Sequence, residues 1–138
     1  MTDPIEKWRQ AFRDMQARLL ESGVLDLEAL RSQRRDPNIE ATADWARTQG
    51  SAVLVLADAE GPVYPTFQFT DTGDLRPELA THVAVLQDAG LSPWKIWAWL
   101  TEPVSLLSGD IPEQVVASSP RRVERAVRRY ADRYRAGG

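Results

Sequence analysis

Few residue types in this chain could carry out covalent chemistry. Its 138 residues include a single histidine, His82, and no cysteine. Zinc sites built from cysteine and histidine and Cys-His catalytic dyads are therefore excluded, and a Ser-His-Asp triad would depend wholly on His82. Because His82 lies in the middle of a predicted helix beside Val83, we expect a structural or exposed side chain rather than a catalytic one.

The motifs that bind nucleotides are also missing. The sequence has no phosphate-binding loop of the Walker type and no Gly-x-Gly-x-x-Gly pattern. Acidic residues are frequent, but their spacing singles out no pair for acid-base catalysis. We therefore predict a protein that is not an enzyme and that holds no metal or cofactor. A small enzyme that uses buried carboxylates ranks last among the hypotheses.

The stretch LSPWKIWAWLTEP, residues 91–103, holds three of the five tryptophans. At about 100° per residue, its apolar side chains surround the predicted helix on nearly every side. A helix that is apolar all round is normally buried. We therefore expect Trp94, Trp97 and Trp99 to fill a core rather than to form a cage for a ligand, although one ring could reach the surface as an interface anchor.

Charge is divided unevenly along the chain. Residues 118–138 carry seven arginines against Glu124 and Asp132, whereas residues 1–117 carry ten basic residues against eighteen acidic ones. Between Val123 and Tyr134 the apolar residues follow a helical stripe, which leaves the arginines on the flanks and the outer face. That face is either merely solvated or binds a partner. The candidate binding residues are Arg121, Arg125, Arg128, Arg129, Arg133 and Arg135.

The elements that would position these residues are mostly helices. A first helix is predicted from about Pro4 to Glu21, with Asp3 as its N-cap. Its apolar residues recur at spacings of three and four, the pattern of a helix-packing seam about two heptads long. Such a seam could pack on its own domain or on a second copy of the chain. The residues are Ile5, Trp8, Phe12, Met15 and Leu19.

Two short helices and a β-ribbon should follow. One helix begins after Asp26 and the next opens at Asp36-Pro37; a strand is predicted over residues 52–56, a turn at 58–61 and a returning strand at Val63-Tyr64. Phe67 and Phe69 are spaced like anchors on one face of a strand. This order suggests a helix-turn-helix with a wing. Residues 26–50 hold four arginines against five acidic residues, so we expect a degenerate version that does not read DNA.

From Pro77 onward the sequence predicts helices again, starting near Pro77, Pro93, Pro112 and Pro120. The fold class is thus mainly α: a compact multi-helix domain with a short β-hairpin between a degenerate N-terminal helix-turn-helix and a C-terminal helical part. We divide it into residues 1–75 and 76–138, forming one compact unit. No apolar run reaches the roughly 20 residues of a membrane span, and the charged N-terminus is not a signal peptide, so a cytoplasmic location is expected.

Residues 99–132 resemble the antitoxin Xre/MbcA/ParS toxin-binding domain. That family shows a tryptophan- or leucine-containing helix, then a leucine-glycine-proline pattern, then a polar break and a final helix. VYPTFQF at 63–69, followed by Leu75-Arg76-Pro77, is similar to the linker of the same proteins. The signature residues are Trp97, Leu100, Pro103, Leu107, Gly109 and Pro112, with Val115, Val116 and Val123 following them.

These signature residues have a structural explanation that needs no partner. Gly109 suits a turn with positive φ, and Pro112 suits the first turn of a helix. Leu106 and Leu107 would fill the corner above the tryptophan helix. Direct contact with a toxin remains the alternative.

Membership of this family would imply the antitoxin of a bacterial type II toxin-antitoxin system. The partner would be an RES-domain toxin that destroys NAD and is encoded nearby, with the antitoxin's C-terminal part covering the toxin's active-site cleft. Many members also bind their own operator as dimers. Because the N-terminal helices here lack basic character, we expect weak or absent DNA binding, no membrane partner and a possible homodimer. The alternative hypothesis is a DNA-binding regulator with no toxin partner.

Overall fold

A computed structural model describes residues 3–137 of the chain. It is mainly helical, as predicted. The helices are α1 (Pro4–Glu21), α2 (Leu27–Arg34), α3 (Ile39–Gln49), α4 (Pro77–Asp88), α5 (Pro93–Thr101), α6 (Pro112–Val115) and α7 (Pro120–Arg135), and the strands are β1 (Val24–Asp26), β2 (Leu56–Asp58) and β3 (Gly61–Pro65).

Side-chain caps fix where several helices begin. The carboxylate of Asp3 accepts a hydrogen bond from the Ile5 amide at the start of α1, and Asp26 accepts from Ala29 at the start of α2. Each satisfies a backbone donor that has no partner within the helix. The predicted opening of α3 at Asp36-Pro37 is two residues early, because Asn38 is the residue that caps this helix.

The three strands form one antiparallel sheet in the order β1-β3-β2. Leu25 pairs with Tyr64 on one side of β3, and Leu56 pairs with Val63 on the other. The sequence predicts the hairpin of β2 and β3 with its turn at 58–61, but it does not predict the three-residue strand β1.

The predicted strand at 52–56 is wrong for most of its length. Residues 50–52 form a 3-10 turn, and the ladder begins only at Leu56. The backbone of Leu54 pairs instead with the buried side chain of Gln68, which donates to the Leu54 carbonyl and accepts from the Leu54 amide, both at 2.8 Å. An amide side chain thus satisfies the groups that a neighbouring strand would have satisfied.

Residues 66–68 likewise form a 3-10 turn where the spacing of Phe67 and Phe69 predicts a strand. Phe69 makes only an isolated bridge to Leu75. It is buried, and its ring lies 6.3 Å from that of Tyr64 in an edge-on arrangement. The two phenylalanines pack against the cores as expected, but they do so from a turn and not from a strand.

The order β1-α2-α3-β2-β3 gives the first half a winged-helix connectivity. Its small core consists of Leu30, Ala46, Val53, Tyr64 and Phe69. The larger core joins this half to the helices that follow, since Leu19, Leu54 and Leu56 pack in the same cluster as Trp97. Trp97 is fully buried, which confirms its predicted place in the core, whereas Trp94 and Trp99 are partly buried at its edge.

Helix α1 is attached to the rest of the molecule by its second half. Leu19 is buried, and Arg18 forms an ion pair of 2.6 Å with Glu102 beside α5. Toward the N-terminus the same apolar face is open: Ile5 is 60% exposed and Trp8 is 69% exposed. Within residues 3–137, no helix combines the length and apolarity needed to span a membrane.

Candidate protein-binding surface

Helix α7 has one face in the core and one face of arginines. Val123, Ala126, Val127 and Ala131 are buried, as the helical stripe predicts. Tyr130 fixes the rotation of the helix further, because its ring stacks on Trp99 with 5.1 Å between centroids. Since residues on the opposite side of a helix cannot share this core, the guanidinium groups are directed outward.

Most of these arginines line a shallow concavity of about 560 Å³, which we call the arginine groove. The side chain of Leu106, from the loop before α6, supplies an apolar part of its wall. The remaining lining comes from α7: Arg122, Arg125, Ala126, Arg128, Arg129, Asp132 and Arg133.

Part of this positive charge is neutralised within the chain. Arg128 pairs with Glu124 at 2.8 Å, and Arg135 pairs with Asp132 at 3.6 Å. These are exposed pairs one helical turn apart, and such pairs stabilise a helix by only about 0.3–0.5 kcal/mol. Both arginines therefore remain available to a partner.

Other arginines of α7 have no carboxylate within ion-pair distance among the described residues. Arg121, Arg125, Arg129 and Arg133 form no ion pair within 4.0 Å there, and all four are exposed. Three of them, Arg125, Arg129 and Arg133, follow each other at intervals of four along the groove. Such a row of forked donors suits a partner that offers carboxylates or other anions at a matching spacing.

The structure thus separates the six predicted binding residues. Arg125, Arg128, Arg129 and Arg133 line the groove, whereas Arg121 and Arg135 lie outside its lining. Arg122 also lines it and was not predicted. Its place in the row that continues to Arg125 and Arg129 was a usable signal.

Arg122 ties α7 to the loop that carries Leu106. Its guanidinium donates to the Leu107 carbonyl at 2.6 Å and to the Asp110 carboxylate at 2.8 Å. Within the loop, the Gly109 amide donates to the Val104 carbonyl, and Gly109 has a φ of +90°, as predicted. The turn that requires glycine therefore also sets the position of the groove's apolar wall.

The signature residues divide into buried and exposed positions. Trp97, Leu100, Leu107 and Pro112 are buried, and Gly109 and Pro103 are exposed. The buried four support the structural explanation of the pattern, because a fully enclosed side chain cannot touch a partner.

The surface that a winged helix would turn toward DNA carries no excess of positive charge. The exposed side chains of α3 include Glu40, Asp44 and Arg47, and the last two form an ion pair with each other. The tip of the wing adds Asp58 and Glu60. Phosphate groups would be repelled here rather than attracted.

The remaining groups that could take part in chemistry are His82 and the acidic side chains. Burial lowers the pKa of His82, which faces Glu124 and Arg128 of α7, and this favours a neutral imidazole. Among residues 3–137, no group of three or more His, Asp or Glu side chains is placed to hold a metal ion.

A second concavity, of about 410 Å³, lies between α1, α5 and α7, and we call it the aromatic groove. The Lys95 ammonium lies 5.2 Å from the centre of the Tyr134 ring at one end. Its main lining residues are Met15, Lys95, Trp99, Val104, Tyr130 and Tyr134.

The fold and the groove describe a winged-helix unit joined to a helical part that presents a basic helix. No family model matches the chain, and no curated protein matches it. Among solved structures, the NMR structure of Rv2175c is similar, with a TM-score of 0.55 over 83% of this chain and 80% of that chain and with 21% identical residues. At that level of identity the similarity shows a shared fold and nothing about activity.

Proposed function

We propose that this protein is an antitoxin that neutralises a toxin by binding it through the arginine groove. The observation that carries the proposal is the row of Arg125, Arg129 and Arg133, which form no ion pair within 4.0 Å among residues 3–137 and lie beside the apolar side chain of Leu106. Interfaces are enriched in arginine, and an apolar anchor surrounded by charged groups is a common arrangement in them.

The electrostatics of the groove define which partner surface it fits. Arg125, Arg129 and Arg133 place three positive charges in line, and any contact must supply acidic or polar groups opposite them. A cleft that binds the phosphates of a dinucleotide is itself expected to be positive. The complementary surface on the toxin should therefore be an acidic rim of the cleft rather than its phosphate-binding floor.

The identity of the toxin rests on the resemblance to the antitoxin family. The buried signature residues and the turn at Gly109 are compatible with that resemblance, but packing and turn geometry explain them equally well. The proposed partner is an RES-domain toxin, and the proposed effect is that α7 blocks its NAD-consuming cleft. No catalytic role is assigned to the antitoxin itself.

DNA binding is the second candidate, and one observation favours it. The connectivity β1-α2-α3-β2-β3, with sheet order β1-β3-β2, is that of winged helices, many of which bind DNA. The acidic groups on α3 and on the wing tip oppose it. We rank toxin binding first because the arginine groove carries the positive charge that binding an acidic partner surface requires.

The decisive experiment compares two double variants with equal charge loss. Arg125→Ser/Arg129→Ser empties the middle of the groove, whereas Arg121→Ser/Arg135→Ser removes two arginines outside its lining. Both should retain the wild-type melting temperature within a few degrees, because exposed charges contribute little to stability. The measurement is NAD consumption by the RES-domain toxin encoded nearby, titrated with each antitoxin variant.

We expect the groove variant to lose at least tenfold in inhibitory potency, mainly through faster dissociation, and the control variant to lose little. Equal potency of the two variants would show that the arginines form a solvated face. A neighbouring gene product that neither binds the chain nor consumes NAD would reject the proposed partner.

A further inference from the structure

The aromatic groove combines aromatic rings with apolar side chains from several elements. Trp99 and Tyr130 stack with 5.1 Å between ring centroids and 11° between ring planes. Tyr134 continues this ring surface along α7, while Met15 of α1 and Val104 of the loop after α5 add apolar side chains to the lining. A volume of about 410 Å³ falls within the roughly 300–1,000 Å³ of sites that bind small molecules. The groove therefore has room for a ligand of one or two aromatic rings.

Two helices supply matched pairs of side chains to this groove. Lys95 and Trp99 are four residues apart on α5, and Tyr130 and Tyr134 are four residues apart on α7, so each pair lies on one face of its helix. Trp99 lies against Tyr130, and the Lys95 ammonium lies 5.2 Å from the centre of the Tyr134 ring. The groove thus has an aromatic end and a charged end, about 6 Å apart along the helix at 1.5 Å per residue.

The charge of the groove favours an anion. Lys95 is exposed and has no carboxylate within 4.0 Å among residues 3–137. Glu102 also belongs to the lining, but its carboxylate already forms an ion pair of 2.6 Å with Arg18. A cationic ligand would compete with Arg18 for this carboxylate and would be repelled by Lys95, whereas an anionic ligand meets a free ammonium group.

The rings favour a planar, aromatic ligand. Trp99, Tyr130 and Tyr134 are each only partly buried, so part of their ring surface is accessible. Aromatic groups that stack or meet edge-to-face gain free energy beyond that of the buried area alone. A saturated ring of the same size can bury this surface but cannot make that additional contribution.

We propose that the aromatic groove binds a small aromatic carboxylate of two fused rings. Its outer ring contacts Trp99 and Tyr130, and its carboxylate pairs with the Lys95 ammonium about one helical turn away. Burial, and to a smaller extent the neighbouring Tyr134, raises the pKa of the Tyr130 hydroxyl, which therefore stays protonated and can donate a hydrogen bond to the anion. The aromatic groove and the arginine groove share no lining residue, so this site is separate from the proposed toxin-binding surface.

The experiment titrates the 138-residue chain with three probes and measures their affinities by isothermal calorimetry. The probe 2-naphthoate carries both features, 2-naphthamide lacks the charge, and decahydro-2-naphthoate lacks the aromatic rings. For an open groove we expect 2-naphthoate to bind with a Kd of about 1 mM or below. Each of the other two probes should bind about fivefold more weakly, because each lacks one of the two recognised features.

The chain contains two lysines, Lys7 and Lys95, and they provide a matched pair of variants. Lys95→Gln should bind 2-naphthoate no more tightly than 2-naphthamide, whereas Lys7→Gln, outside the groove lining, should keep the wild-type preference. Both side chains are exposed, so both variants should keep the wild-type melting temperature within a few degrees.

Nuclear magnetic resonance locates the bound probe independently. Addition of 2-naphthoate should shift the indole N–H signal of Trp99 and the backbone amide signal of Tyr130. The indole signal of Trp45, which packs against the smaller core, is the internal control and should not shift.

Four results would overturn the proposal: no binding of 2-naphthoate at millimolar concentration, equal affinity for the three probes, a Lys95→Gln variant that keeps the preference for the carboxylate, or shifts confined to residues outside the groove. None of these measurements involves a toxin. They therefore judge the ligand site independently of the proposed antitoxin function.

Discussion

At the scale of single residues, Trp97 contributes a large ring to the core but buries one N–H group without a hydrogen bond. Its indole is fully buried, and its Nε1 atom has no hydrogen-bond partner among residues 3–137. A buried N–H without a partner costs free energy, so the ring is retained for its volume and contacts.

Replacing this ring should separate the two effects. Trp97→Ala should lower the free energy of unfolding by about 3–5 kcal/mol, since it leaves a large cavity. Trp97→Phe should cost clearly less, because it fills more of the space and removes the unpaired N–H. Chemical denaturation followed by circular dichroism checks both, and an Ala variant as stable as wild type would contradict the burial of the ring.

At the scale of elements, Gln68 takes the place of a strand. Its side-chain amide accepts a hydrogen bond from the Leu54 backbone amide and donates one to the Leu54 carbonyl. It also donates to the Pro65 carbonyl at 3.1 Å. The segment before β2 is thereby fixed to the end of β3 without a ladder. One buried side chain joins the wing to the turn that leads into α4.

Gln68→Leu should therefore destabilise the protein although it adds an apolar side chain to a buried site. It leaves the Leu54 amide and carbonyl without partners, and each such group costs about 1–3 kcal/mol. The control is Gln114→Leu, an exposed glutamine, which should change stability by less than about 0.5 kcal/mol. Equal melting temperatures for the two variants would show that Gln68 is dispensable.

Gln68 also marks the limit of prediction from this sequence. Capping residues, first-turn prolines and apolar periodicity are local signals, and they located α1, α2, α4, α5, α6 and α7, and α3 to within two residues. Residues 52–56 form a β-rich run, yet their partner is a side chain fourteen positions away, which no local pattern encodes. The strand β1 is too short for any alternation to show.

The same limit applies to the binding surface. The periodicity of α7 predicted which side chains point outward, but the groove depends on Leu106 from another element. The spacing of Arg122 from Arg125 and Arg129 indicates that it belongs to the same face, but its contacts with Leu107 and Asp110 depend on the fold of the loop at 107–110. Only the three-dimensional structure shows which arginines line the groove. Arg125, Arg129 and Arg133 do so, whereas Arg121 and Arg135 do not.

At the scale of the whole molecule, charge is separated between the two parts. Exposed acidic groups lie on α3 and at the tip of the wing, whereas exposed arginines are concentrated on α7. Long-range attraction to a partner is governed by such local fields rather than by the net charge of −3. Duplex DNA would meet opposing potentials on the two surfaces.

We therefore expect weak, non-specific DNA binding at most. Fluorescence anisotropy with a labelled fragment of the upstream region should show no saturation at nanomolar protein in about 150 mM salt, the range in which specific complexes form. A scrambled fragment of equal length is the control. Tight binding that discriminates between the two fragments would place DNA recognition above toxin binding.

The clamp that Arg122 makes on the loop at 107–110 has a consequence for how partners could be exchanged. This clamp and the buried signature residues hold the groove in place, while Arg125, Arg129 and Arg133 make no ion pair within 4.0 Å among the described residues. The outer face can therefore change by substitution while the interior stays the same, so that one scaffold can diverge toward new partners. Transplanting the outward residues of α7 from one such protein to another should carry partner choice with them and leave the recipient's melting temperature unaltered.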